Sequence, residues 1–319
     1  MVPLLASKVL DYNLHFFQGV VVISKAFAIS RVVGITVLLA GVAGSCFAGS
    51  TLDRIRQSGV VHVGYQESLP FSYKHADGAT PPGYSVEICQ GLIEAIKHEH
   101  KLKSLEVRYV QVTGANRIPQ VLEGKVDLVC AGVTNTKARR DQVAFSLPVY
   151  FAAAKLLVRE GSGITRIDDL AGKTLAVQKG TTGAQIGEAR KLGMPTLKLL
   201  VVETPAEAVK AVESKTADAF IHDDIQLYGL KAQSAEKLVV VGSGLSIEPL
   251  AIMFSKDDRE LASLVEREMT QFYKSGQMRK LYSKWFQTTL PQRSFNLNAV
   301  PNQLTADITA VRLNEGANR

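Results

Sequence analysis

Short β-rich runs alternate with amphipathic helical stretches along most of the chain, and only an α/β packing buries both kinds of apolar pattern. The first series reads as strand 60–65, helix 85–98, strand 105–112, helix 116–122 and strand 126–133. A second series follows, with strands at 155–159, 174–178, 197–202 and 217–221 and helical stretches at 166–170, 183–192 and 205–214. Two open parallel sheets in succession are the simplest packing of such a pattern. A last strand at 249–255 and helices at 259–275 and 276–286 are too few to form a third domain, so they are expected to return to the first lobe. Ligands of open parallel sheets sit beyond the carboxyl ends of the strands. The polar clusters there begin at Gln66, Thr113, Gly132, Gln178 and His222.

The first fifty residues do not share this pattern. Lys25 and Arg31 precede the apolar run 32–42, and small residues surround Ala43 to Ala48, which is the layout of a secretory signal peptide. The run is far shorter than the ~20 residues that span a bilayer. Residues 1–48 are therefore expected to be an export leader, cut after Ala48, with a start codon that lies further upstream than the leader needs. Ala43-Gly44-Ser45-Cys46 also resembles a lipobox, which would make Cys46 a lipidated terminus. The leader holds three basic side chains and one acidic, so its removal lowers the formal net charge from +7 to +5. The remaining Lys and Arg are scattered and form no basic tract interleaved with aromatics, which argues against nucleic acid as a partner. With 46% hydrophobic and 21% charged residues, collagen, coiled coil and a disordered polymer are excluded. Three cysteines without a C-x-x-C pair exclude a disulfide scaffold or a zinc site of the usual spacing.

Six segments, GYSVEICQ (83–90), NRIP (116–119), VDLVCAGVTNTKARRDQVAFS (126–146), DDLAGKTLAVQKGTTG (168–183), ADAFIHDD (217–224) and KLYSKWF (280–286), carry a resemblance by their order and spacing. From about residue 51 to about 298 the chain resembles the extracellular solute-binding proteins of polar amino-acid ABC importers, in particular the glutamate/aspartate-binding branch. That resemblance implies the type II periplasmic binding protein fold: two α/β lobes joined by a two-strand hinge. One lobe would comprise 51–152 plus 249–290 and the other 153–248, followed by a C-terminal extension at 291–319. Hinges would lie near 149–154 and 247–251. It further implies a periplasmic monomer that performs no chemistry, needs no cofactor or metal, traps one L-amino acid and presents it to a membrane permease.

Residue by residue, Arg139 occupies the family's position for the α-carboxylate, where a planar guanidinium makes a bidentate pair. The alternative is a surface helix arginine beside Arg140. Gln178, Thr181 and Thr182 lie where a Gly-rich turn opens a helix, whose free N–H groups favour an anion. Asp223 matches the ammonium-binding aspartate, helped by the Gly132 carbonyl and the Thr134 hydroxyl. Either Asp223 or Asp224 could instead cap the following helix, and Asp224 is expected to cap while Asp223 binds. Arg117 is kept for the distal end of the ligand. The acidic branch usually has arginine where this chain has Gln66, serine at Gly114 and histidine at Pro205. Those losses lower the positive potential and make a neutral amide or hydroxyl side chain a competitor. The pair His222-Asp223 also resembles the glutamine-binding branch.

Other signals point elsewhere. Gly172-Lys173-Thr174 has Ile167 where a P-loop needs glycine, so nucleotide binding is rejected. His98 and His100 sit at i, i+2 in KHEHK and are read as a solvated helix end, not a metal site. Tyr282 and Trp285 are read as lobe packing. Cys89 and Cys130 either pair in an oxidising compartment or stay as two buried thiols. A related branch of the fold contains a secreted dehydratase, which needs a general acid, and only Glu67 and His222 are candidates here. A sensory module would require a separate receptor.

Overall fold

The computed structural model describes residues 50–310 apart from 76, 77 and 79. The expected leader at 1–48 with Cys46, together with residue 49 and residues 311–319 of the expected C-terminal extension, lies outside the described residues. The first lobe opens with α1 (Thr51–Ser58), β1 (Val60–Tyr65), α2 (Tyr84–Glu99), β2 (Glu106–Gln111), α3 (Arg117–Leu122), β3 (Leu128–Thr134), α4 (Lys137–Arg140), β4 (Ala144–Phe145) and β5 (Tyr150–Ala152). The second holds β6 (Ala154–Arg159), a 3-10 turn at Ile167–Leu170, β7 (Thr174–Gln178), α5 (Thr182–Gly193), β8 (Lys198–Val202), α6 (Pro205–Glu213), β9 (Ala219–Asp223), α7 (Asp224–Gln233) and β10 (Leu238–Val241). The chain then returns through β11 (Glu248–Phe254), α8 (Arg259–Lys274), α9 (Gln277–Phe286) and α10 (Gln303–Ala310).

One sheet has the order β2-β1-β3-β11-β4, with β5 also paired to β11, and the other has β10-β6-β9-β7-β8. Neither is purely parallel. β1 runs parallel to β2 and β3, and β7 to β8 and β9, but β11 is antiparallel to β3 and β6 is antiparallel to β9. Ala153 alone separates β5 from β6. A crossing that short carries no helix, so it cannot deliver the parallel orientation that a βαβ unit gives. The same β11 that enters the first sheet also pairs with β5, matching Glu248 with Ala152 and Leu250 with Tyr150. The two strands that pass between the lobes therefore lie side by side.

Local chemistry accounts for the elements that position the cleft. β3 is buried along its whole length, as a central strand flanked on both sides must be. The apolar residues of α2 recur at Ile88, Leu92 and Ile96 and line one buried face. α1, with only Leu52 and Ile55 as apolar anchors and Ser50 accepting the Asp53 N–H as cap, is too short for its periodicity to stand out in the sequence.

α8 and α9 do return to the first lobe, where Trp285, Phe286 and Tyr282 are buried. Phe286 stacks on Tyr150 and meets Tyr84 edge-on, while Tyr73 meets Trp285 edge-on. Cys89 of α2 and Cys130 of β3 are joined as a disulfide within this core. The second lobe has a smaller core, mainly aliphatic, built on Leu156, Leu175, Ile221 and Val212 with Phe220 as an aromatic member. Described residues after Phe286 make contacts with the first lobe. The Tyr73 hydroxyl donates to the Pro291 carbonyl at 2.8 Å, and Thr305 accepts the Phe151 N–H at 3.0 Å.

The end of α2 is not simply solvated. His98 is exposed, but the His100 ring is largely buried, with Nε2 3.9 Å from Glu260 of α8, and Glu99 pairs with Arg267. The helix end packs against α8, which the sequence pattern of KHEHK alone could not reveal.

Candidate ligand-binding site

From the first lobe, β1 ends at Tyr65 and delivers Gln66, whose backbone is clamped by Ser72: the hydroxyl accepts the Gln66 N–H and donates to its carbonyl. α3 starts at Arg117, after a turn in which Thr113 and Asn116 exchange side-chain and backbone hydrogen bonds. The Arg117 guanidinium donates to Gln66 Oε1 at 3.0 Å and to the Gly180 carbonyl of the second lobe at 3.3 Å. β3 ends at Thr134. Thr136 caps α4 by accepting the Arg139 N–H, and Arg139 turns back to donate to the Thr134 carbonyl at 2.7 Å. Its other Nη donates at 3.1 Å to the same Gly180 carbonyl that Arg117 reaches.

The second lobe answers with backbone groups. Gly180, at φ +75°, turns the chain from β7 into α5. Thr181 is the cap, accepting the Ala184 N–H at 3.2 Å and donating to the Gln178 carbonyl at 2.7 Å. The first-turn N–H groups of Thr182 and Gly183 have no intrahelical partner by helix geometry, and both residues line the pocket. The lobes approach so closely that a Cβ on Gly180 would stand 2.3 Å from the Gly114 carbonyl oxygen. A Cβ on Gly114 would stand 2.5 Å from the Lys179 carbonyl oxygen, so the serine usual in the acidic branch has no room in this closed cleft.

β9 ends with His222 and Asp223. The Asp223 carboxylate accepts from Gln226 at 2.8 Å and leaves its own helix uncapped, although it stands at the cap position of α7. Asp224 accepts the N–H groups of Ile225 and Ala153. The His222 Nδ1 accepts the Asp223 N–H at 2.8 Å, so the ring proton sits on Nε2 and faces Gln178 Oε1 at 3.2 Å. Gln178 Nε2 then donates to the Glu203 carbonyl.

Gln66, Arg117, Gly132, Thr134, Arg139, Thr181, Thr182 and Asp223 all line one pocket, together with Gly183 and His222. Gln178 does not reach the wall; it braces His222 from behind. Pro205, at the first position of α6, lies on a separate cavity with Glu67, so it leaves no counterpart of the family's histidine in the pocket. Glu67 and His222 are likewise kept apart: the Glu67 carboxylate accepts the Lys74 N–H, and both ring nitrogens of His222 are engaged.

Two guanidiniums are thus held buried in the cleft. Burial, and then the Arg139 charge, push the Arg117 pKa down to about 9, against the pull of Asp223. Burial also lowers that of Arg139, opposed by Glu248 and Asp223. Asp223 rises to about 7, through burial and then the charges of Glu248 and Asp224. His222 falls to about 4 through burial and then Arg117, and stays neutral. Sequence reasoning missed Glu248, buried at the head of β11 and accepting from the Ser246 hydroxyl at 2.6 Å, and Gln226. A carboxylate opening a β-run next to a hinge was the only available signal for Glu248; Gln226 lies one helical turn past Asp223.

Residues 61–288 match the bacterial extracellular solute-binding proteins, family 3. The chain is 35% identical over 255 residues to the L-glutamate/L-aspartate-binding protein of Pseudomonas aeruginosa, which covers 78% of this chain and 83% of that one. It is 33% identical over 262 residues to the glutamate/aspartate import solute-binding protein of Salmonella typhimurium, covering 80% and 85%. Among solved structures, an ancestral amino acid-binding protein described as a precursor of cyclohexadienyl dehydratase superposes with a TM-score of 0.63 at 34% identity, covering 74% of this chain and 99% of the other.

Proposed function

The chain belongs to the bacterial extracellular solute-binding proteins, family 3, and from that premise we propose that it is the substrate-binding component of an amino-acid ABC importer. It captures one polar amino acid, glutamate or aspartate before others, and hands it unchanged to the membrane permease. The observation that carries this reading is the convergence of Arg117 and Arg139 from the first lobe on one carbonyl of the second, beside Asp223. Such an array of fixed charges and dipoles complements an α-amino acid. Arg139 and the N–H groups of Thr182 and Gly183 take the α-carboxylate. Asp223, the Gly132 carbonyl and the Thr134 hydroxyl take the ammonium. Arg117 and Gln66 face the distal end, and Gln178 and Gln226 hold His222 and Asp223 in place. The relatives named for glutamate and aspartate support that order of ligands.

The protein works as a periplasmic monomer, released from its leader after Ala48 or anchored through a lipidated Cys46. N-terminal sequencing of the mature protein separates the two: a start near Gly49 supports cleavage, a blocked Cys46 supports the anchor, and a retained Met1 contradicts export. Titration calorimetry against the twenty amino acids, with mass spectrometry of the recovered ligand, tests the binding role. One-to-one binding of unaltered glutamate or aspartate is expected. Heat from none of them, or a ligand converted to product, would overturn the reading.

A further inference from the structure

Gln66 stands where the acidic branch carries an arginine, and from the sequence this reads as a lost cation. Its contacts point the other way. A guanidinium only donates, so the 3.0 Å contact from Arg117 fixes which end of the Gln66 amide is the oxygen. The amide nitrogen, with two N–H donors, is left on the opposite side. Gln66 and Arg117 are both buried, at 4% and 2% exposure, and both line the pocket. Arg117 Nε is buried there with no hydrogen-bond partner. Acceptors of this network already receive donors. The Gly180 carbonyl receives both arginines, Gln178 Oε1 receives His222, and the Gln66 carbonyl receives the Ser72 hydroxyl. His222 Nδ1 is occupied by the Asp223 N–H.

We propose that Gln66, oriented by Arg117, forms with it a donor-only subsite that selects a distal carboxylate over a distal amide. A ligand carboxylate presents acceptors alone and satisfies every donor it meets. A ligand amide must bury its own N–H₂ against donors, and a buried donor without an acceptor is costly enough to outweigh the shape match. The proposal rests on reading the pocket as an amino-acid site and narrows it to acidic side chains. Gln66 is thereby the specificity residue: it replaces the charge of an arginine with an imposed direction.

The test is calorimetric titration of glutamate and glutamine into the wild type, Gln66→Glu and Gln66→Leu. In the wild type, glutamate should bind at least about tenfold tighter than glutamine. Gln66→Glu keeps the acceptor for Arg117 but turns an oxygen toward the ligand, so the preference should invert and glutamine should bind more tightly than it does to the wild type. Gln66→Leu should weaken glutamate with no gain for glutamine. Equal wild-type affinities, or an unchanged ratio in Gln66→Glu, would overturn the proposal and leave amino-acid capture standing. A wild type that binds no amino acid would overturn both.

Discussion

The two lobes share a sheet-and-helix plan but contribute to the cleft in different currencies. The first lobe sends long side chains, Gln66, Arg117 and Arg139, and backs them with an aromatic core and the Cys89–Cys130 disulfide. From the second come the open end of α5, the Gly180 carbonyl and one carboxylate, over a core in which Phe220 joins mainly aliphatic residues. Both guanidiniums that must be held against burial sit on the cross-braced lobe. Backbone dipoles need no such holding, because hydrogen-bonded secondary structure already orients them. The lobe that carries both guanidiniums is also the one that a disulfide cross-links.

The largest effect that tests this contrast is loss of the clamp. Arg139→Ala should weaken glutamate binding by about 2–5 kcal/mol, roughly thirtyfold or more, with the folded state retained. Thr182→Ala, which leaves the N–H groups of α5 in place, should cost far less. Comparable losses from the two in calorimetry would break the comparison. Next comes the brace. Replacing Cys89 and Cys130 together by Ala should lower stability by about 3–4 kcal/mol, as expected for cross-linked residues 41 apart. Denaturant melts should register that loss while ligand affinity at 25 °C stays within about twofold.

Acidity probes the second lobe's one carboxylate. Asp223 must be ionised to pair with the ligand ammonium, and burial followed by Glu248 and Asp224 raises its pKa to about 7. Affinity should therefore fall as pH drops from 8 to 6, by at most about tenfold per unit, and Asp223→Asn should abolish that slope. A slope kept in Asp223→Asn would assign it to another group. For folding without ligand the sign reverses. The folded pKa is above the ordinary 3.8, so the contribution of Asp223 is fully present below that value and lost as pH rises through about 7. The smallest effect is expected at Gln178, which only supports His222. Gln178→Ala should cost about 1 kcal/mol of affinity in calorimetry, and Gln178→Glu should not restore it, because it sets a carboxylate oxygen against the Glu203 carbonyl that Nε2 now serves.

Much of this was legible because the family's motifs fall at strand ends, where the fold exposes side chains to ligands. Arg139, Asp223 and the Thr181-Thr182 turn reach one pocket for that reason. Gln178 sits in the same kind of position and yet faces away, since a polar residue at a strand end does not disclose to which side of the sheet it points. Gln66 was read as a missing charge because residue type carries no hydrogen-bond direction; only the neighbouring guanidinium supplies one. The mixed sheets escaped because strand direction depends on which sheet a strand enters, and β11 crosses from one lobe to the other. Glu248 was invisible for the same topological reason, as its neighbours Arg139 and Asp223 are distant in sequence.

Closure itself is the central claim. Arg117 and Arg139 are buried together, and on the proposed reading closing the cleft is favoured when a ligand anion offsets these two desolvated like charges. Small-angle X-ray scattering of the purified protein, with and without saturating glutamate, reads this directly. A radius of gyration that falls on adding glutamate in the wild type, and stays constant in Arg139→Ala, is the expected result. A wild-type radius that glutamate leaves unchanged would contradict ligand-driven closure.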